Sequence, residues 1–159
     1  MSKVVIYKPR AWTKEFHESK CRWKVLIIHR RAGKTYAAVN HLIRDAMRKP
    51  NSRFSLIAPT YRSAKDISWD LMKQSCMGVD GVVFNESELR ADFMNGSRIR
   101  LYGADNPDAL RGISLDGVVF DEYSQQPSNI FTEIIRPALA DRKGYATWIG
   151  TPKGMNDFY

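Results

Sequence analysis

At 159 residues, 43% hydrophobic and 26% charged, the chain has the balance of one globular domain with a real core. No apolar run reaches the roughly 20 residues that span a bilayer, the N-terminus has no apolar signal-peptide centre, and the expectation is a chain with no membrane association. The net charge of +8 is unevenly placed, with 13 Lys/Arg against 3 Asp/Glu in residues 1–50 and 12 against 14 in the rest.

A basic front of this kind suits a polyanion, either nucleotide phosphates or nucleic acid, although a solvated basic surface reads the same way. Cys21 and Cys76 have no metal spacing and fit a reducing cytosol. His17, His29 and His41 are scattered in sequence, so no metal is assigned to them.

In chain order, Trp23 to His29 is a compact apolar run that predicts a buried parallel strand. After Thr35, the spacing of Val39, Leu42, Ile43, Ala46 and Met47 predicts a helix, and Pro50 follows its end. Residues 53–59 predict a second strand. Ala64, Ile67, Leu71 and Met72 mark one face of a helix from about Tyr61 to Ser75. Residues 81–85, 88–94 and 98–103 predict short antiparallel strands, with Asn95-Gly96 as a hairpin turn. The α/β pattern returns with a buried strand at 117–122, a helix from Ile130 to Leu139 broken by Pro137, and a strand at 145–150. This alternation predicts an α/β fold: a mostly parallel sheet, helices on both faces, and an antiparallel hairpin insertion. Because the chain stops soon after its last strand, 1–159 is expected to be one incomplete domain.

The chemistry starts at residues 29–37, HRRAGKTYA, between a strand and a helix. Gly33-Lys34-Thr35 ends a phosphate-loop pattern whose first glycine would fall at position 28, which holds Ile28. The backbone of Arg31, Ala32 and Gly33 and the helix N-terminus would cradle phosphates, Lys34 would reach the outer ones, and Thr35 would bind magnesium. Alone, such a tripeptide also occurs by chance. Asp121 and Glu122 follow a buried strand, and acids there face the ligand crevice of an open α/β sheet. Asp121 is placed to hold the magnesium shell and Glu122 to deprotonate the attacking water. Read alone, the pair would equally cap the next helix. Thr151, ending the 145–150 strand, is a candidate sensor of the outermost phosphate, or part of a plain turn.

Taken together, PRAWTKEFHES, HRRAGKT, APTYRSAKDI, NGSRIRLYGADNPDALRG, GVVFDEYSQQP and IGTPKG resemble, in order and over nearly the whole chain, the N-terminal ATPase region of the large terminase subunit of tailed bacteriophages. The resemblance implies an additional-strand (RecA-like) P-loop fold, with the 145–150 strand between the loop strand and the acid strand. It implies Mg²⁺-dependent ATP hydrolysis and translocation of double-stranded DNA in the cytoplasm of the infected bacterial host. The implied partners are the portal protein, the small terminase subunit and further copies in a ring. In that family the loop commonly lacks its first glycine and carries a mid-loop arginine, which Arg30 matches as a catalytic group. Gly150-Thr151-Pro152 matches the segment thought to couple hydrolysis to movement. Pro9 to His17 resembles the adenine-binding segment, but Thr13 stands where glutamine is often found, and the family's nuclease domain has no counterpart here.

Arg111 lies eleven residues before Glu122, on the loop entering the acid-bearing strand, beside Gly112. It is expected to act on a neighbouring subunit's γ-phosphate, or else to pair with Asp108 or Asp116. The rival readings are a superfamily-two helicase, which Ala58-Pro59-Thr60 also resembles, and a truncated nucleotide- or DNA-binding module without turnover.

Overall fold

The structure is a computed structural model that describes residues 7–152. A helix α1 (Ala11–Glu18) precedes strand β1 (Trp23–Ile27), helix α2 (Lys34–Arg48) and strand β2 (Arg53–Ala58). Short strands β3 (Val83–Asn85) and β4 (Arg90–Asp92) lead to β5 (Arg98–Gly103), β6 (Gly117–Phe120) and β7 (Tyr145–Gly150). They form one seven-stranded sheet in the order β1-β7-β6-β2-β5-β4-β3. The first five in that order run parallel, and β4 and β3 are antiparallel. β7 separates β1 from β6, as the additional-strand class requires.

Each face of the sheet carries helices because the central strands are apolar on both sides; all four residues of β6 are buried. One core layer packs Val39, Leu42 and Ala46 of α2 and Trp69 and Met72 against Leu56, Leu101 and Val119. The other packs Leu110, Ile130, Ile135 and Leu139 against Ile57, Val118 and Phe120. There Phe120 stacks on Trp148, with centroids 5.7 Å apart and rings 9° from parallel, and Phe131 meets Trp148 edge-on. Such pairs add about 0.5–1.5 kcal/mol beyond their buried area. Gly117 is needed for this packing, since a Cβ there would lie 2.5 Å from the Tyr145 ring and 2.9 Å from Phe54.

Three sequence expectations change. Among the described residues β1 is an edge strand rather than a buried one: β7 alone of them pairs with it, and Trp23, Val25 and Ile27 are exposed. Residues 98–103 belong to the parallel sheet, so the insertion is the β4–β3 pair extending its far edge; the Asn95-Gly96 turn joins β4 to β5, with Gly96 at φ 81°. The predicted helices at 61–75 and 130–139 both contain π turns, Ala64–Trp69 and Ile130–Ile135. Pro137 does not break the second. It falls in the first turn of the α segment Arg136–Ala140, just past the π turn, where a missing N–H costs least.

Candidate functional site

The parallel register puts the C-terminal ends of β1, β7 and β6 side by side, with Ile27 opposite Gly150 and Phe120 opposite Trp148. The 28–35 loop leaves β1 there, anchored by Ile28 N–H donating to the Gly150 carbonyl at 3.3 Å. Gly33 takes φ 79° just before α2 starts, a conformation a Cβ would strain, and Arg31 is also left-handed at φ 62°. The amides of the first turn of α2 therefore open onto a cleft of about 550 Å³.

Lys34 is buried, and its ammonium donates to the carbonyls of Ile28 (2.8 Å) and His29 (2.9 Å) and to Thr151 Oγ1 (3.2 Å). Thr151 Oγ1 in turn donates to Glu122 Oε1 at 3.3 Å. Beside this chain, Thr35 Oγ1 donates to the Asp121 carboxylate at 3.1 and 3.3 Å. Five residues from three separate stretches of sequence thus form one hydrogen-bonded group. A hydroxyl and a carboxylate this close are a hard-oxygen donor set that fits a magnesium ion.

Burial, and then the adjacent Glu122 charge, raise the Asp121 carboxyl to about 6, partly offset by the Thr35 hydrogen bond. Glu122 sits at φ 47°, a left-handed conformation costly for a side chain this large and common where strain serves function. Gln126, which the sequence reading missed, holds the turn in place: its Nε2 donates to the carbonyls of Ile57 and Asp121, both at 2.8 Å.

Arg30 and Arg31 line the cleft. Ala32 does not; it is buried, and its carbonyl accepts from Arg10 NH1 at 3.0 Å, a second contact absent from the sequence reading. Arg10 ties the segment before α1 to the loop. Thr13 is buried and donates its hydroxyl to the Arg10 carbonyl at 2.8 Å, which ties the first turn of α1 to the segment before it. Arg111 is exposed, lies outside the cleft and pairs with Asp108 at 3.3 Å; Gly112 beside it has φ 74°. Lys153 and Gly154, the end of the IGTPKG stretch, lie outside the described residues.

A larger cavity lies elsewhere among the described residues. About 860 Å³ in volume, it opens between α1 and α2 around Tyr7, Arg10, His17 and Arg44, but carries no paired hydroxyl and carboxylate like Thr35 and Asp121. His17, at its wall, comes within 3.0 Å of the buried His41 through their Nδ1 atoms, although the two are far apart in sequence. Among the described residues, no group of three His, Cys, Asp or Glu side chains could hold a metal ion.

The family described as "Terminase large subunit, T4likevirus-type, N-terminal" matches residues 26–159. The large terminase subunit of Thermus phage G20c is 31% identical over 96% of this chain, and that of Escherichia phage T5 is 29% identical over 86%. This chain spans 36% and 32% of those two proteins, about a third of their length. Among solved structures, the large terminase ATPase domain of Thermus phage P74-26 superposes with a TM-score of 0.86 at 31% identity, covering 96% of this chain and 68% of that one. The chain belongs to the terminase large-subunit family and corresponds to its N-terminal part.

Proposed function

We propose that this chain is part of the ATPase portion of a large terminase, binding ATP with Mg²⁺ and hydrolysing it to move double-stranded DNA into a procapsid. What supports this reading is the hydrogen-bonded group at the strand ends: Lys34, Thr151 and Glu122 in one chain, with Thr35 on Asp121 beside it. The backbone of Arg31 and Gly33 and the N-terminus of α2 cradle the phosphates. Lys34 exchanges two carbonyls and a hydroxyl for the outer phosphates. Thr35 and Asp121 would hold the magnesium ion, which would supply charge neutralisation for the phosphates.

Glu122 accepts the proton of the attacking water, and the Thr151 hydroxyl fixes the carboxylate's orientation. Arg30 stabilises developing charge from within the site, and Arg111 does so in the active site of a neighbouring subunit. The partners proposed are duplex DNA, the portal protein, the small terminase subunit and further copies of the chain in a ring on the portal. The proposed compartment is the host cytoplasm; no described helix is long and apolar enough to cross a membrane.

The test is phosphate release from Mg-ATP, with nucleotide binding measured in parallel, for the parent and Glu122→Gln. The amide keeps the shape and removes the proton acceptor, so binding should persist while turnover falls at least a hundredfold, about the contribution of a general base. Equal turnover would place the base elsewhere.

A further inference from the structure

We propose that a second cleft, walled by Arg53, Arg98, Arg100 and Arg142, binds phosphates of the duplex DNA backbone. This rests on the reading of the protein as a DNA motor and assigns the surface that DNA touches. The cleft measures about 290 Å³ and runs along β5 from Arg98 to Tyr102, with Arg53, Arg98 and Arg142 at the N-terminal end of the parallel strands. The phosphate loop lies at their C-terminal ends, and no described residue lines both clefts, so these arginines serve a different anion.

The parallel register of β2 and β5 builds it. Arg53 is paired with Arg98 and Ser55 with Arg100, while Arg142 enters from the turn before β7. The carboxylates nearby are already committed. Asp92 accepts from Arg98 at 2.6 Å and from Arg90 at 2.9 Å. Asp116 accepts from Arg142 at 3.0 Å, from Lys49 at 2.6 Å and from the Arg53 backbone N–H at 2.7 Å. Arg53 NH1 donates to the carbonyls of Ser52 and Gly96. Arg100 lies over the Tyr102 ring at 4.9 Å, and its Nε is buried with no hydrogen-bond partner.

Positive charge therefore exceeds negative charge here, and the guanidiniums disfavour one another. Burial first, and then Arg98 and Arg142, press Arg53 below its ordinary pKa. An oxyanion relieves both problems. Planar guanidinium forks suit phosphate oxygens, and Ser55, Ser114 and Tyr102 bring further polar side chains to the walls. An acidic peptide could meet the same arginines, so polyglutamate is an arm of the test, but it could not also gain affinity by adding a strand here. β2 and β5 are paired on both sides and offer no free edge, whereas a sugar–phosphate backbone needs none.

The test measures binding of a short duplex between about 50 and 200 mM salt, with nucleotide binding and melting followed in the same samples. Arg142→Gln is the deciding variant, because Arg142 sits in an exposed turn and Lys49 remains to pair with Asp116. Arg100→Gln and the double variant accompany it, and Arg142→Lys keeps the charge. The expected result is a log–log salt slope shallower by about 1 per arginine removed, and by about 2 in the double variant. Arg142→Lys keeps the slope, and nucleotide binding is unchanged throughout. Parental slopes in the glutamine variants, no duplex binding by the parent, or loss of polyglutamate binding with DNA binding intact would each overturn the proposal. Loss of nucleotide binding in the parent bears on the ATPase reading alone.

Discussion

Replacing Lys34 with alanine should reveal two separable roles of one side chain. Lys34 is 6% exposed, and its ammonium bridges the ends of β1 and β7 through Ile28, His29 and Thr151. Hydrogen bonds to a charged group contribute about 1.5–3 kcal/mol each, but the buried cation carries a desolvation cost, and the freed loop carbonyls can rehydrate. The net destabilisation by Lys34→Ala should be about 1–3 kcal/mol. At about 2–4 °C per kcal/mol for a domain of this size, the melting temperature should fall by about 2–12 °C. With Mg-ATP at a hundred times its Kd, the parent should gain about 2.7 kcal/mol of apparent stability and the variant none. Thermal melts with and without Mg-ATP read both effects. A ligand-induced shift in Lys34→Ala equal to the parent's would refute the site, and an unchanged nucleotide-free melt would refute the bridging role.

Two further outcomes are expected. Burial lowers His17 to about 4 and His41 to about 3, from an ordinary value of 6.5, with Arg44 and Lys24 reinforcing and Asp45 opposing. Both therefore fold neutral and charge more readily when unfolded, so stability should fall as the pH drops below 6.5 toward 4; a His17→Gln, His41→Gln double variant that kept the parent's pH slope would exclude them as its source. For Arg111, an Arg111→Ala subunit mixed with a Glu122→Gln subunit should recover activity only if the arginine works in trans. No recovery in an assembly shown to be mixed would leave the Asp108 ion pair as its whole role.

The sequence was most legible where one residue type has one physical use. Gly33 had to be glycine at a positive φ, the apolar run before Asp121 had to be a buried strand, and strand–helix alternation implied the parallel sheet. Contacts between side chains and distant carbonyls left no periodic trace, so Arg10 on Ala32 and Gln126 on Ile57 were invisible. The Asn95-Gly96 hairpin of β4 and β5 was legible, whereas the pairing of β5 with β2 was not, because a six-residue strand does not announce its second neighbour. The same holds for the four arginines, which converge only through that register. β1 misled because an apolar run reads as buried whether it lies at a sheet's centre or its edge.

The most direct measurement of the central claim is a crystal structure of this chain with Mg²⁺ and a non-hydrolysable ATP analogue. Phosphates should lie at the N-terminus of α2, with Lys34 Nζ withdrawn from Ile28 and His29 onto the outer phosphates and the metal held by Thr35 and Asp121. Nucleotide seated instead in the cavity between α1 and α2, with the Lys34–Thr151–Glu122 hydrogen bonds intact, would contradict that claim.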